Sequence, residues 1–142
     1  MLLIGKKFQN SMDLDKRKEE LSDLEREVTQ NKGTEVPFTG EHWDRKDEGG
    51  YSCKVCGQML FTSDTKLDSS VGPTGLQGWP AFDQAIPGTV KYQDDDSAGM
   101  HRTEAICSNC GAHLGHLFPD DTKTGDHLCI NSCSLDFKPK GE

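Results

Sequence analysis

The sequence is poor in hydrophobic residues and aromatic rings, and it has no long apolar run. Of the 142 residues, 32% are hydrophobic and 7% are aromatic, whereas 15 glycines and 6 prolines predict many turns. A chain of this length makes one domain with a modest core. Its apolar stretches are all too short to span a bilayer. We therefore expect a small, turn-rich domain with no membrane partner.

Positive charge is also scarce. The chain has 16 lysines and arginines against 24 aspartates and glutamates, which gives a formal net charge of −8. A protein that binds nucleic acid needs a basic face to neutralise the phosphates. The charge balance therefore argues against a nucleic-acid partner.

Four of the six cysteines form two C-x-x-C pairs, Cys53 with Cys56 and Cys107 with Cys110. Four thiolates fill the tetrahedral shell of Zn²⁺ and leave no open position for water or substrate. We therefore predict one structural zinc ion per chain, bound by all four of these cysteines. A thioredoxin-like redox pair is a weaker interpretation, because no βαβ pattern surrounds either C-x-x-C.

Thiolates that bind a metal must stay reduced, so the cysteines also bear on location. The apolar residues 1–5 are too few for the core of a signal peptide. Without a secretion signal we expect a reducing, cytoplasmic environment. A disulfide framework formed by the six cysteines is the alternative that an oxidising compartment would allow.

The N-terminal part of the chain is rich in charged residues that favour a helix. We expect residues 1–10 to be a disordered lead and residues 11–142 to form a single domain. A helix is predicted over residues 12–30, with Ser11 as its cap and Gly33 as its stop. Its apolar face consists of four residues at helical spacing, namely Leu14, Leu21, Leu24 and Val28.

The remaining β-domain, over residues 34–138, alternates short apolar runs with turns, a pattern that is typical of strands. Glycine-rich residues 69–78 are predicted to form a loop. Strands are predicted at residues 51–53, 59–61, 89–92, 104–106 and 127–137. The fold class that follows is all-β with a short N-terminal helix.

Cys129 belongs to neither C-x-x-C pair, and it is the candidate nucleophile. Such a thiol needs a lowered pKa, which a nearby imidazolium can supply, and His113 and His116 lie upstream. Side chains alternate along a strand, so His127, Cys129 and Asn131 would share one face. Taken alone, a lone cysteine in a strand is more often a small core residue. The residues by themselves leave both interpretations open.

Seven motifs in a fixed order resemble the B-type methionine sulfoxide reductases, which reduce the R epimer of methionine sulfoxide. They are GTEVPFTG at 33–40, the two C-x-x-C pairs, GWPAF at 78–82, RTE at 102–104, CGAHLGHLF at 110–118 and CINS at 129–132. The resemblance extends roughly from Leu14 to Phe137. It implies a fold of two twisted antiparallel sheets, with the zinc site remote from the catalytic cysteine.

The resemblance also implies catalytic roles. Cys129 would attack the sulfoxide, release methionine and be left as a sulfenic acid, a reversible oxidation state of cysteine. His113 and His116 would lower the pKa of this thiol and assist protonation of the sulfoxide oxygen. Asn131 would orient the substrate or a water molecule.

On the substrate side, the resemblance assigns Trp79 to an apolar wall that takes the ε-methyl group. Asp120 matches an acidic family position near the histidines, and with His127 it is predicted to contact substrate. The implied partners are methionine-R-sulfoxide, free or in oxidised proteins and peptides, and thioredoxin or another thiol reductant. The implied biological roles are protein repair and defence against oxidative stress.

The chain departs from the family pattern in two places. Members usually carry arginine and an aromatic residue immediately before the nucleophile, where this chain has His127 and Leu128. The permanently charged, planar fork of arginine is thereby lost. Many members also keep a resolving cysteine in the loop at residues 69–78, which here has none. We expect Cys133 to be a small buried residue, so that an external thiol regenerates Cys129.

Two other functions compete with the reductase. The first is a non-catalytic zinc β-domain that binds a protein or ligand through the same groove. The second is a zinc-linked redox sensor in which sulfenylation of Cys129 is the signal. An unreactive Cys129 would favour the binding domain.

Overall fold

A computed structural model describes residues 14–70 and 76–140 of the chain, and the predicted disordered lead at residues 1–10 lies outside them. Two helices precede the sheets: α1 covers residues 14–19 and α2 covers Asp23–Asn31. No helix among the described residues combines the length and apolar character of a membrane span.

The predicted single helix over residues 12–30 is wrong, because Ser22 starts a second helix. Ser22 has an extended backbone, and its hydroxyl accepts a hydrogen bond from the N–H of Glu25. The Glu25 carboxylate accepts in return from the N–H of Ser22, which completes a capping box. The predicted apolar face is also wrong in one residue, since Leu21 and Val28 are buried whereas Leu24 is 54% exposed.

The described residues form nine strands in two antiparallel sheets. The smaller sheet has the order β2-β1-β9, and the larger sheet has the order β3-β4-β8-β7-β6-β5. The strands are β1 Gly49–Cys53, β2 Met59–Thr62, β3 Lys66–Leu67, β4 Ala81–Phe82, β5 Val90–Asp95, β6 Arg102–Cys107, β7 His113–Pro119, β8 Asp126–Ile130 and β9 Leu135–Pro139. The predicted fold class, all-β with two antiparallel sheets and a short N-terminal helix, is confirmed.

The predicted strand at residues 127–137 is wrong in one respect, because it is two strands. A 3-10 turn over Ser132–Ser134 separates β8 from β9, and the two strands belong to different sheets. Strand β7 was missed altogether. Its two histidines and one glycine interrupt the apolar pattern that is typical of a strand. The first four residues of this strand are nevertheless buried.

The two sheets share one hydrophobic core. Phe61 of β2 stacks on Phe82 of β4, with ring centroids 4.2 Å apart. Tyr51 of β1 meets the same Phe82 ring edge-on at 5.1 Å. All three rings are fully buried, so these contacts join the smaller sheet to the larger one.

The larger sheet presents its polar residues on the face away from this core. Leu128 and Ile130 of β8 belong to the core, and Cys129 between them therefore points to the opposite face. Cys129 is paired with His116 of β7, which is paired in turn with Glu104 of β6. Strand register thus assembles a polar row across three strands.

The close approach of β7 and β8 requires glycine at position 115. A substitution at this position therefore tests the pairing register of the two strands. A Cβ atom added at Gly115 would overlap the carbonyl oxygen of Cys129. We expect Gly115→Ala to lower the free energy of unfolding by about 3 kcal/mol, because the backbone of β8 cannot give way easily.

Gly125→Ala is the matched control for this prediction. Gly125 has φ of +85°, and nothing lies within 4 Å of an added Cβ. The control should therefore cost only the left-handed backbone strain, about 1 kcal/mol. Urea unfolding of both variants is the measurement, and equal losses would contradict the predicted packing.

Candidate active site

A small cavity lies over Cys129, between β7, β8 and the chain that leads into β4. Its volume is about 80 Å³. Since one water molecule takes about 30 Å³ of liquid, the cavity admits only a group of a few heavy atoms. The residues that define its chemistry are Leu76, Trp79, Arg102, His116, Cys129 and Asn131.

His116 is the histidine that lines this cavity, and a buried carboxylate orients it. Its Nε2 lies 2.7 Å from Oδ2 of Asp95 at the end of β5. The hydroxyl of Ser97, followed by His116 itself, lowers the pKa of Asp95 and keeps it ionised. An ionised carboxylate only accepts, so Nε2 carries the proton and Nδ1 is the acceptor of the neutral ring.

His113 does not line the cavity among the described residues but lies beside His116, with ring centroids 5.4 Å apart. Its Nδ1 lies 2.7 Å from buried Glu104, which also accepts from Gln93 at 2.7 Å and from Lys32 at 3.1 Å. Burial lowers the pKa of His113 although Glu104 opposes this, so the ring is neutral near pH 7. His113 therefore packs against the ring of His116.

Glu104 stays charged in spite of its burial. Burial raises the pKa of this carboxyl, but hydrogen bonds from Gln93, His113 and Lys32 together outweigh that effect and lower it. Lys32 is the left-handed residue that ends α2. Glu104 thus fixes the end of α2 to the polar face of the larger sheet.

The thiol of Cys129 is neutral in the ligand-free protein. Burial, with a smaller effect from the charge of Glu35, raises the pKa of Cys129 to about 12. The carbonyl oxygen of Leu76 lies 4.0 Å from Sγ and is at most a weak acceptor. Neither His113 nor His116 is among the causes of this shift, and a lowering of the Cys129 pKa by these histidines stays a prediction.

Asn131 and Trp79 are joined through one peptide, that of Glu35. The Asn131 side chain accepts from the Glu35 N–H at 3.0 Å and donates to the Leu114 carbonyl at 3.1 Å. The indole N–H of Trp79 donates to the Glu35 carbonyl at 2.9 Å. Both side chains line the cavity, and these bonds fix the position of its Trp79 wall.

Asp120 and His127 are brought together, but not at the cavity. Nδ1 of His127 lies 2.9 Å from Oδ2 of Asp120, and this hydrogen bond lowers the pKa of Asp120. Neither residue is among the described residues that line the cavity over Cys129. The pair links the end of β7 to the start of β8.

Cys133 lies on the 3-10 turn and lines a different cavity, together with Glu35 and Lys54. Its N–H donates to the Glu35 carboxylate at 2.9 Å. Burial and the charge of Glu35 raise the pKa of its thiol. The side chain is half-buried, and the cavity over Cys129 is lined without it.

The four cysteines of the two C-x-x-C pairs converge, with their sulfurs all within 4.8 Å of one another. Cys53 and Cys110 have their Sγ atoms 3.6 Å apart, and so do Cys56 and Cys107. A tetrahedron with Zn–S bonds of about 2.3 Å has sulfurs about 3.8 Å apart, so these residues fit a zinc ion. Cys53 ends β1 and Cys107 ends β6, so the cluster joins the two sheets.

The sequence prediction missed the charged residues that organise the site. Asp95 received no role from the sequence, and it is the buried partner of His116. Arg102 and Glu104 were noted in a motif but received no role. The signal that could have found them is period-two alternation along β6, which places both on one face of the sheet.

A family model described as the SelR domain matches residues 21–139, which is most of the chain. Among solved structures, that of the Mis18 "Yippee-like" domain superposes with a TM-score of 0.51 and covers 67% of this chain and 99% of that one. At 14% identity this likeness concerns the fold alone.

Curated relatives are named as methionine sulfoxide reductases. The MsrB of Variovorax paradoxus is 52% identical over 116 residues, which cover 80% of this chain and 81% of the relative. That of Photorhabdus laumondii is 51% identical over 120 residues, which cover 83% and 84%. Mouse methionine-R-sulfoxide reductase B3, mitochondrial, is 51% identical over 84% of this chain, but the match spans only 46% of its own length. The chain therefore belongs to the SelR domain family, alongside the B-type methionine sulfoxide reductases.

Proposed function

We propose that the protein reduces methionine-R-sulfoxide, free or in peptides, to methionine, with Cys129 as the nucleophile. The observation that carries the proposal is the pairing of Cys129 with His116 in a cavity of about 80 Å³ that is walled by Trp79. The names of relatives about half identical to this chain support the same chemistry. The cavity has room for a methylsulfinyl group and little more.

The reaction transfers one oxygen atom and two electrons. Sγ of Cys129 attacks the sulfoxide sulfur and forms a bond to it while the oxygen takes up a proton. The oxygen then passes to Sγ as the new bond between the two sulfurs and the sulfoxide S–O bond both break. Methionine leaves in reduced form, and Cys129 is left as a sulfenic acid. Two external thiols then return Cys129 to the thiol, and they yield a disulfide and water.

The high pKa of Cys129 determines where the proton comes from. A neutral thiol must lose its proton as Sγ attacks, and the sulfoxide oxygen must gain one in the same process. Nδ1 of His116 is the acceptor of the neutral ring, so His116 can take the proton from Cys129 and deliver it to the oxygen. Peroxides, which need a preformed thiolate, find little of it in the absence of substrate.

Trp79 is proposed to bind the ε-methyl group, because its ring is held against the cavity by the Glu35 carbonyl. Asn131 is proposed to act mainly by holding the Glu35 peptide in place. Direct substrate contact by Asp120 and His127 stays a prediction, since both side chains are engaged with each other. Thioredoxin or another external thiol is the proposed reductant, because Cys133 lies in a separate cavity.

We infer that the four clustered cysteines hold one structural zinc ion. When bound, the ion supplies a cross-link between the ends of β1 and β6, and its filled shell offers no position for substrate. Gln58 contacts the cysteine cluster, since its amide nitrogen donates to the sulfur of Cys107 at 3.6 Å. Biological roles in protein repair and in a reducing cytoplasm are proposed on the basis of this chemistry.

The first prediction concerns the reaction itself. With dithiothreitol as reductant, the wild type should reduce the separated R epimer and leave the S epimer unchanged. Cys129→Ser should lose at least about 1,000-fold in turnover, because the hydroxyl is a far weaker nucleophile. Cys133→Ala is the matched control and should retain turnover. A wild type that reduces neither epimer would favour the non-catalytic binding domain.

The second prediction concerns the pH dependence of Cys129. Because its pKa is raised to about 12, the thiolate population of the folded protein at pH 8 is about 1,000-fold below that of the unfolded chain. The rate of iodoacetamide alkylation, mapped by mass spectrometry, should rise about tenfold per pH unit from pH 7 to pH 10 without levelling off. In urea the rate should level off near pH 9. A plateau below pH 9 in the native protein would contradict the raised pKa.

The third prediction concerns the metal. Purified protein should contain about one zinc ion per chain by elemental analysis. Cys53→Ser should lose that ion and lower the free energy of unfolding by about 4 kcal/mol or more, since structural metal binding is coupled to folding. Cys133→Ser should retain both metal and stability. An apoprotein that unfolds as cooperatively, and at the same temperature, would overturn the assignment.

A further inference from the structure

Arg102 places a permanent positive charge at the cavity over Cys129. It opens β6 and is paired with Asp95 of β5. Two residues before Glu104, it shares the polar face of the larger sheet with that carboxylate. Of the described residues that line the cavity, Arg102 is the one whose charge does not depend on pH.

The guanidinium of Arg102 is only partly satisfied by its neighbours. Its Nη2 lies 3.6 Å from Oδ2 of Asp95, a long contact for an ion pair. The same oxygen makes its short bond, 2.7 Å, to His116. Nε of Arg102 is buried and has no hydrogen-bond partner among the described residues. Because Arg102 lines the cavity and its ion pair with Asp95 is long, its guanidinium retains donor capacity for an acceptor that enters the cavity.

The other walls of the cavity offer little to a polar ligand atom. Leu76, Trp79 and Phe118 are apolar, apart from an indole N–H that is already bonded to Glu35. The Asn131 amide is bonded to two backbone groups. Thr34 adds a neutral hydroxyl, so Arg102 is the permanently cationic donor that an acceptor oxygen beside Cys129 can meet.

We propose that Arg102 is a further catalytic residue, whose guanidinium donates a hydrogen bond to the sulfoxide oxygen as Cys129 attacks the sulfur. This inference rests on the proposed function. Negative charge grows on the oxygen as the S–O bond breaks, and a fixed donor beside it stabilises the transition state more than the ground state. Arg102 keeps its own proton, and the proton that reaches the oxygen comes from Cys129 through His116.

Asp95 has a positioning role in this arrangement. Its Oδ2 contacts both His116 and Arg102, so one buried carboxylate orients the residue that moves the proton and the residue that holds the oxygen. Residue 127, where relatives usually have arginine, does not supply the cation here, since the His127 ring is bonded to Asp120 outside the described cavity lining.

The test compares Arg102→Met, which keeps the length of the side chain and removes its donors, with Arg102→Lys, which keeps the charge. For Arg102→Met we expect kcat with the R epimer to fall about 100-fold and KM to change little, as for loss of one donor to a developing oxyanion. Arg102→Lys should lose about tenfold, because it retains the charge without the planar guanidinium and its fixed donors. Lys123→Met, which removes an exposed cation in the turn before β8, is the matched control and should match the wild type.

Two further measurements separate a role at the oxygen from a structural one. The melting temperature of each variant should match that of the wild type. Alkylation of Cys129 by methyl iodide, a small reagent without an oxygen acceptor, should stay within about threefold of the wild-type rate.

Each outcome decides the inference. Unchanged kcat and KM in Arg102→Met would overturn it while leaving the proposed function intact. A parallel fall in turnover, alkylation and melting temperature would show a structural role and would also overturn it. A wild type that does not reduce the R epimer would remove the proposed function and the inference with it.

Discussion

The antiparallel pairing of β7 with β8 is the constraint on which the rest of the site depends. It sets His116 opposite Cys129, and Gly115 permits the close backbone approach that this register needs. One face of the paired strands then contributes Leu128 and Ile130 to the core, and the other face lines the cavity. A shift of one residue would exchange the faces and bury the nucleophile among apolar side chains.

Buried charges fasten the surrounding segments to this pair of strands. Glu104 binds Lys32 at the end of α2, and Asn131 binds the Glu35 peptide that in turn positions Trp79. A buried carboxylate is costly unless several donors satisfy it, and Glu104 has three. The buried polar groups that hold the cavity walls in place therefore depend on the complete fold to supply their hydrogen-bond partners.

The six cysteines differ in their chemistry because they lie in different environments. Four thiols converge at the ends of strands from both sheets, where one ion can bind them all. Cys129 lies apart from them and is half-buried, and the burial of its thiol keeps it neutral in the ligand-free protein. Cys133 lies only four residues further on, but the turn after β8 carries it to a different cavity. Separation along the sequence therefore says little about which thiols react together.

The sequence by itself identified the candidate residues for the chemistry, because spacing and residue type are local properties. The C-x-x-C pairs, the lone Cys129 and the β-rich fold class could all be read directly, and the S-x-x-E pattern at Ser22 was a readable sign of the second helix. Only the tertiary structure decided which charges meet. Asp95 reaches His116, and Arg102 reaches the cavity, because strand register brings together residues that are distant in sequence. Burial, which no local pattern encodes, then set the protonation state of the nucleophile.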